Sequence, residues 1–237
     1  MRWERYTLDP KWITRDQTTI TKEPCPMHTA IIDYDSGNLH SAHKAFQKMA
    51  QESNGGEVIV TSDADVVARA DRLVLPGDGA FPACRAALDA SGLGEAISDA
   101  VERRGVPFMG ICVGMQLLAR EGLEYTATPG LGWIDGTVQE ITSENPALKV
   151  PHMGWNDLVI DRTHPVLEGI ASGEHAYFVH SYHMAVCQPD QLIAHVDYGA
   201  AVTAVVARDS IIGLQFHPEK SSQAGLKIIS NFLAWRP

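Results

Sequence analysis

The sequence predicts an α/β fold with a central, mostly parallel sheet, helices on both faces and an antiparallel extension. Two observations predict it. Short apolar runs alternate with helical segments over residues 30–120, the rhythm of strand–helix–strand units. After about Gly130, strand-like runs follow one another with few helices between them, which suits antiparallel pairing.

Each element has a local reason. Residues 30–34 (AIIDY) read as a strand that ends in the turn Asp35-Ser36-Gly37-Asn38. Residues 39–51 carry Leu39, Ala42, Phe46 and Met49 at helical spacing. A strand at 57–61 leads to a helix at 63–70. The strand at 72–75 stops at Pro76-Gly77, and helices follow at 82–89 and 94–103. The run 106–111 is a strand that enters Cys112 directly. Strands are expected at 137–141, 155–160, 176–180, 201–207 and 211–216, with a closing amphipathic helix at 223–235.

The chain has 237 residues, 19 Lys plus Arg and 29 Asp plus Glu, for a net charge of −10. That length suits one α/β domain. The acidic balance argues against nucleic-acid binding, which needs a basic surplus. The longest uncharged stretch, 105–119, is about 15 residues and contains Pro107 and Gln116, whereas a membrane span needs roughly 20 apolar residues. Cys25, Cys84, Cys112 and Cys187 form no paired motif, so a reduced, cytoplasmic setting is expected. Residues 1–26 are polar with no clear period and end in Pro24-Cys25-Pro26. They read as an N-terminal extension, and residues 27–237 as the single functional domain.

The chemistry centres on Gly110-Ile111-Cys112-Val113-Gly114, a G-x-C-x-G between a strand and a helix. This is the layout of a nucleophile elbow, in which flanking side chains would clash on a tight turn. The turn sets the sulfur at a helix N-terminus, which favours thiolate, and aims the Val113 N–H at a developing oxyanion. A base is supplied by Phe216-His217-Pro218-Glu219. His217 and Glu219 share a side if Pro218 keeps the chain extended, so that the carboxylate orients the imidazole. His175, His180 and His183 crowd one segment. Read as one extended run, it sends His180 and His183 to opposite faces, and no metal-ligand spacing appears, so no metal or cofactor is expected.

With these residues the chain resembles the class I (triad) glutamine amidotransferases. Within them it resembles the glutaminase subunits of imidazole glycerol phosphate synthase. The likeness covers residues 28–236. It is carried by Asp33-Tyr34-Asp35-Ser36-Gly37-Asn38, Leu75-Pro76-Gly77-Asp78-Gly79-Ala80-Phe81, the cysteine elbow through Gln116, Pro151-His152-Met153-Gly154-Trp155-Asn156, Tyr177-Phe178-Val179-His180-Ser181-Tyr182, and Gln215-Phe216-His217-Pro218-Glu219-Lys220-Ser221. The elbow and H-P-E mark the superfamily, and the MGWN, YFVHSY and HPEKS segments mark the subunit.

The resemblance implies a flavodoxin-like class I glutaminase fold and a reaction. Cys112 attacks the side-chain amide of L-glutamine, His217 gives a proton to the departing ammonia, and water hydrolyses the thioester. The ammonia passes to a (β/α)₈ cyclase subunit in a heterodimer, which makes imidazole glycerol phosphate and an aminoimidazole carboxamide ribotide in histidine biosynthesis. It also implies roles for further residues. Val113, Asp78 and Gly79 offer backbone N–H groups to the oxyanion. Asp78 stands where the family commonly has valine, so its carboxylate is expected to point outward. Gln116, one helical turn beyond Cys112, holds the substrate with Glu124, Ser181 and Tyr182. Asn38, Trp155, Tyr177 and Lys220 face the partner. Two alternatives remain at this point: a paralogous glutaminase subunit that serves surface-sugar amidation, and a silent binding protein on the same fold.

Overall fold

The computed structural model describes residues 27–142, 145 and 147–237. The expected extension, with Cys25, lies outside the described residues. In chain order the main elements are β1 (His28–Ile32), α1 (Leu39–Ser53), β2 (Glu57–Thr61), α2 (Ala64–Arg69), β3 (Arg72–Gly77), α3 (Phe81–Ser91), α4 (Gly94–Ser98), β4 (Phe108–Cys112) and α5 (Val113–Gln116). Then follow β5 (Glu121–Gly122), β6 (Thr128–Pro129), β7 (Gly136–Glu140), β8 (His152–Asp157), β9 (Val159–Ile160), β10 (His175–His180), β11 (Tyr182–Val186), β12 (Leu192–Asp197), β13 (Ala201–Arg208), β14 (Ile211–Leu214) and α6 (Ser222–Ala234).

Eight strands form the central sheet in the order β2-β1-β3-β4-β14-β13-β12-β9. The first five run parallel, which is the flavodoxin-like order. Every residue of β3 and β4 is buried, which requires cover on both faces of the sheet. The helices fall into two packed groups, α1 with α6 and α4 with both α2 and α3. Phe46 and Phe232 meet edge to face at 6.2 Å between α1 and α6. Side chains fix where the first helices start. Asn38 Oδ1 accepts from the Ser41 N–H ahead of α1, and Asp63 Oδ1 accepts from the Asp65 N–H ahead of α2.

The second half is more divided than its sequence suggests. Only β13, β12 and β9 extend the sheet in antiparallel sense, whereas β14 lies parallel beside β4. The run 211–216 reads the same either way, because a short, wholly apolar strand is needed in both settings. β8 pairs with β10 in a separate two-stranded ribbon, and β11, β7, β5 and β6 form a third sheet. The segment 177–183 is therefore not one extended run. It breaks at Ser181, so that β10 and β11 belong to different sheets. That break delivers Ser181 and Tyr182 to the carboxyl end of the parallel strands.

Candidate active site

Cys112 closes β4 at φ 56° and ψ −116°, a region that costs a non-glycine residue free energy unless its surroundings impose it. Close backbone packing, which only the flanking glycines allow, imposes it. A Cβ on Gly114 would fall 1.9 Å from the Leu75 carbonyl oxygen, and one on Gly110 would fall 2.6 Å from the Gly114 carbonyl oxygen. The elbow thus seats its turn directly against β3. The helix it opens is a single turn of four residues, Val113–Gln116. A macrodipole is too small to matter over that length, so the local effect reduces to the N–H groups of the first turn, Val113's among them.

His217 follows β14 and comes beside Cys112. Its Nδ1 lies 2.9 Å from Glu219 Oε1, and both side chains are nearly inaccessible. The segment after His217 is not extended. Pro218–Lys220 forms a 3₁₀ turn with Pro218 at its first position, where a fixed φ and a missing N–H are tolerated. The turn, rather than an extended strand, swings the Glu219 carboxylate back onto the imidazole. Burial pushes the His217 imidazole down, but the hydrogen bonds and charges of Cys112 and Glu219 outweigh it and raise it to about 9. His217 therefore carries a proton at neutral pH and bridges the Cys112 sulfur and the Glu219 carboxylate.

A cavity of about 230 Å³ opens over the sulfur. Its lining brings together Asp78, Gly79, Cys112, Val113, Gln116, Glu124, Ser181 and Tyr182, drawn from four separate stretches of chain. Larger hollows lie elsewhere, one of about 710 Å³ beside His164 and Trp235, but that one has no cysteine in its lining. Glu124 is nearly buried, and its Oε2 accepts from the Phe81 N–H at 2.7 Å. Gln116 is 2% exposed and donates from Nε2 to the Tyr182 carbonyl at 2.9 Å and to Gln215 Oε1 at 3.1 Å.

The Asp78 side chain is exposed, as its charge requires. Its backbone N–H donates to Ser36 Oγ at 3.3 Å. Its carbonyl accepts from Ser36 Oγ at 3.0 Å and from Cys84 Sγ at 3.3 Å. The second backbone donor of the expected pair, Gly79, sits beside it at φ 104°. Burial pushes the Cys84 thiol up, in keeping with a structural cysteine.

Three of the expected partner-facing residues cluster. Trp155 is 53% exposed and meets Tyr177 edge to face at 5.9 Å. Lys220 Nζ stands 5.9 Å above the Tyr177 ring. Asn38 is the cap of α1, the helix that packs against the turn carrying Lys220. Among the described residues, no group of three or more His, Cys, Asp and Glu could hold a metal ion, and no helix is long and apolar enough to cross a membrane.

Sequence reasoning passed over Gln215, Ser36, His152 and His180 as working parts of the site. Gln215 carried the one visible signal, a carboxamide inside the otherwise apolar run 211–216. The others reveal themselves only through partners far away in the chain.

The model of the family described as "Glutamine amidotransferase class-I" matches residues 30–235. The chain belongs to the class I glutamine amidotransferases. An imidazole glycerol phosphate synthase subunit HisH from Ruegeria pomeroyi is 68% identical over 89% of this chain and 100% of its own length. The subunit of the same name from Cereibacter sphaeroides is 61% identical over the same shares. At that identity the chain is a member of the HisH glutaminase family within the class. PurLQS from Thermotoga maritima superposes with a TM-score of 0.64 over 89% of this chain and 99% of its own, at 20% identity. The glutaminase domain of Trypanosoma brucei CTPS gives 0.62 over 88% and 91%, at 16% identity. These two share the fold of this class I amidotransferase.

Proposed function

We propose that Cys112, His217 and Glu219 are the catalytic triad of this HisH-family glutaminase and that its ammonia is handed to a cyclase subunit for imidazole glycerol phosphate synthesis. The observation that carries the reading is His217, which touches the nucleophile on one side and a buried carboxylate on the other. The Cys112 sulfur attacks the side-chain carbonyl carbon of glutamine and forms a thioester. The C–N bond breaks as His217 passes its proton to the leaving ammonia. Water then attacks the thioester with His217 as base, and glutamate leaves.

The cavity walls supply the rest. The Val113 N–H, with the loop at Asp78 and Gly79, serves the oxyanion, each donor contributing roughly 3 kcal/mol to the transition state. The Asp78 N–H reaches it only after leaving Ser36. Glu124 keeps one carboxylate oxygen for the substrate's α-ammonium, beside Gln116 and the Ser181–Tyr182 backbone. The Trp155–Tyr177–Lys220 cluster, with Asn38, faces the cyclase. An exposed aromatic anchor of this kind is a common centre of binding energy. A partner is also implied by the relatives' name, which calls each of them a subunit. A cytoplasmic setting fits the free state of Cys84, Cys112 and Cys187. Residues 1–26 are an extension outside the catalytic unit, as the reach of the family match from 30 to 235 suggests.

The test is ammonia release from glutamine, measured with and without the cyclase and its nucleotide. Release that rises when both are added supports the reading. No release with all components present overturns it.

A further inference from the structure

A second chain of polar groups, buried from His152 inward, runs from β8 to the nucleophile, and its direction is fixed at both ends. At the outer end, Asn156 Oδ1 accepts from the Asp157 N–H at 2.8 Å, so its other terminal atom is the NH₂. That NH₂ donates to the Asp197 carbonyl at 3.1 Å and lies 3.3 Å from His152 Nε2. His152 Nε2 is therefore the acceptor, and its proton sits on Nδ1. His152 Nδ1 is 3.1 Å from His180 Nε2, which makes that nitrogen the acceptor and puts the second proton on His180 Nδ1. His180 Nδ1 then meets the Tyr182 carbonyl at 2.9 Å, a group that can only accept. The tautomers deduced from the outer end are the ones the inner end requires. Burial keeps both rings neutral, with His152 at about 4 and His180 at about 3.

Beyond Tyr182 the same logic continues. Its carbonyl also takes a hydrogen from the Gln116 amide, so the atom there is Nε2. Gln116 Nε2 gives its other hydrogen to Gln215, so the atom there is Oε1 and the Gln215 NH₂ is turned to the Cys112 sulfur, 3.9 Å away. Both Gln116 hydrogens are spent within the protein. Its Oε1 alone is left for the substrate, and it accepts an N–H of glutamine.

We propose that His180, with its proton held on Nδ1 by His152, is a positioning residue for glutamine hydrolysis: it pins the Tyr182 carbonyl and thereby sets which end of Gln116 faces the substrate and which end of Gln215 faces the nucleophile. The pair also ties this arrangement to β8, the strand of Trp155. His152 is clasped between the rings of Phe178 and Tyr198, at 4.8 and 4.0 Å, which keeps it from turning. The inference rests on the glutaminase reading above.

The experiment pairs His180→Leu with His180→Asn in the complex with the cyclase. Asparagine carries an N–H close to the place of imidazole Nδ1, and leucine carries none. His180→Leu is expected to raise KM for glutamine about tenfold, with a smaller fall in kcat, and His180→Asn to stay within about threefold of the parent. If both variants lose thermal stability alike and leave KM within about twofold, the residue only packs and the inference falls. Nitrogen NMR of the unaltered chain at neutral pH decides the matter should the leucine variant not fold. Protons on Nδ1 of both His152 and His180 support the assignment, and a proton on Nε2 of either one overturns it. If the unaltered complex itself releases no ammonia from glutamine, the glutaminase reading fails instead.

Discussion

The wall that carries Cys112 and the wall that carries Tyr182 face each other across one cavity but are held by different physics. The first is steric. Gly110, Gly114 and the positive φ of Cys112 leave the elbow a single arrangement against β3. The second is polar. Ser181 lies between two small sheets, its carbonyl accepting from the Ile141 N–H, Tyr182 opens β11, and the Tyr182 carbonyl is held by hydrogen bonds from His180 and Gln116. Sterics fix the nucleophile whether or not substrate or partner is present, whereas a hydrogen-bonded wall can be adjusted from its outer end. In the proposed reaction the fixed wall makes the covalent bond, and the adjustable one reads the substrate and lies next to the surface proposed for the cyclase.

The largest effects belong to the steric wall. Cys112→Ala should lower glutamine-dependent turnover by at least about 10³-fold, while turnover with free ammonium persists on the cyclase. Loss of both activities would show that Cys112 serves the assembly rather than the chemistry. Gly114→Ala should destabilise the chain by more than about 4 kcal/mol in urea unfolding, because its Cβ has no route past the Leu75 carbonyl. A variant that unfolds like the parent would mean that the elbow yields easily and that the contrast between the walls is false.

Glu219→Gln is the next largest and acts through a proton. It should cut glutamine hydrolysis roughly 10²-fold by leaving the imidazole poorly oriented. Its stability signature has a definite sign. His217 is raised from 6.5 to about 9 in the folded chain, so its proton stabilises the fold fully below about 6.5. That contribution is lost as pH rises through 9. The gap corresponds to roughly 3 kcal/mol for the coupled Cys112–His217–Glu219 group. Urea unfolding of the parent at pH values on either side of this window should show the loss, and Glu219→Gln should flatten it. An equally steep variant would remove Glu219 from the account.

The two walls also differ in how far the sequence reveals them. The parallel half is legible because its determinants are local: apolar runs, caps such as Asp63, and glycines beside the cysteine. The proposed triad is legible for the same reason, since each part sits in its own short motif. The extended reading of His217-Pro218-Glu219 differs from the observed turn, although either geometry brings the two side chains together. The substrate wall is less legible. The break at Ser181 depends on which sheet each flanking strand joins, and pairing partners 28 to 42 positions apart leave no local mark: His152 opposite His180 in β8–β10, and Tyr182 opposite Glu140 in β7–β11. The directed chain through His152 and His180 is invisible to spacing, because its links are set by tautomers.

Trp155→Ala tests the outer end of the polar wall. With 53% of its surface exposed, Trp155 holds little of the fold, so the melting temperature should stay within about 2 °C of the parent. Its proposed place is the interface, and affinity for the cyclase should fall about tenfold or more in titration calorimetry. Unchanged affinity would move the partner surface away from β8 and leave the adjustable wall with nothing to adjust it.

Removal of residues 1–26 should have the smallest effect and bears on the steric half alone. The first strand stands on its own ties from Met27 onward. The Met27 carbonyl accepts from the Glu57 N–H at 2.8 Å, and β1 pairs along its length with β2 and over three residues with β3. All of these survive the truncation. Glutamine turnover with the cyclase should therefore stay within about twofold of the full chain. A large loss would mean that the nucleophile's wall depends on contacts from outside the parallel half, and its independence from the rest of the molecule would no longer stand.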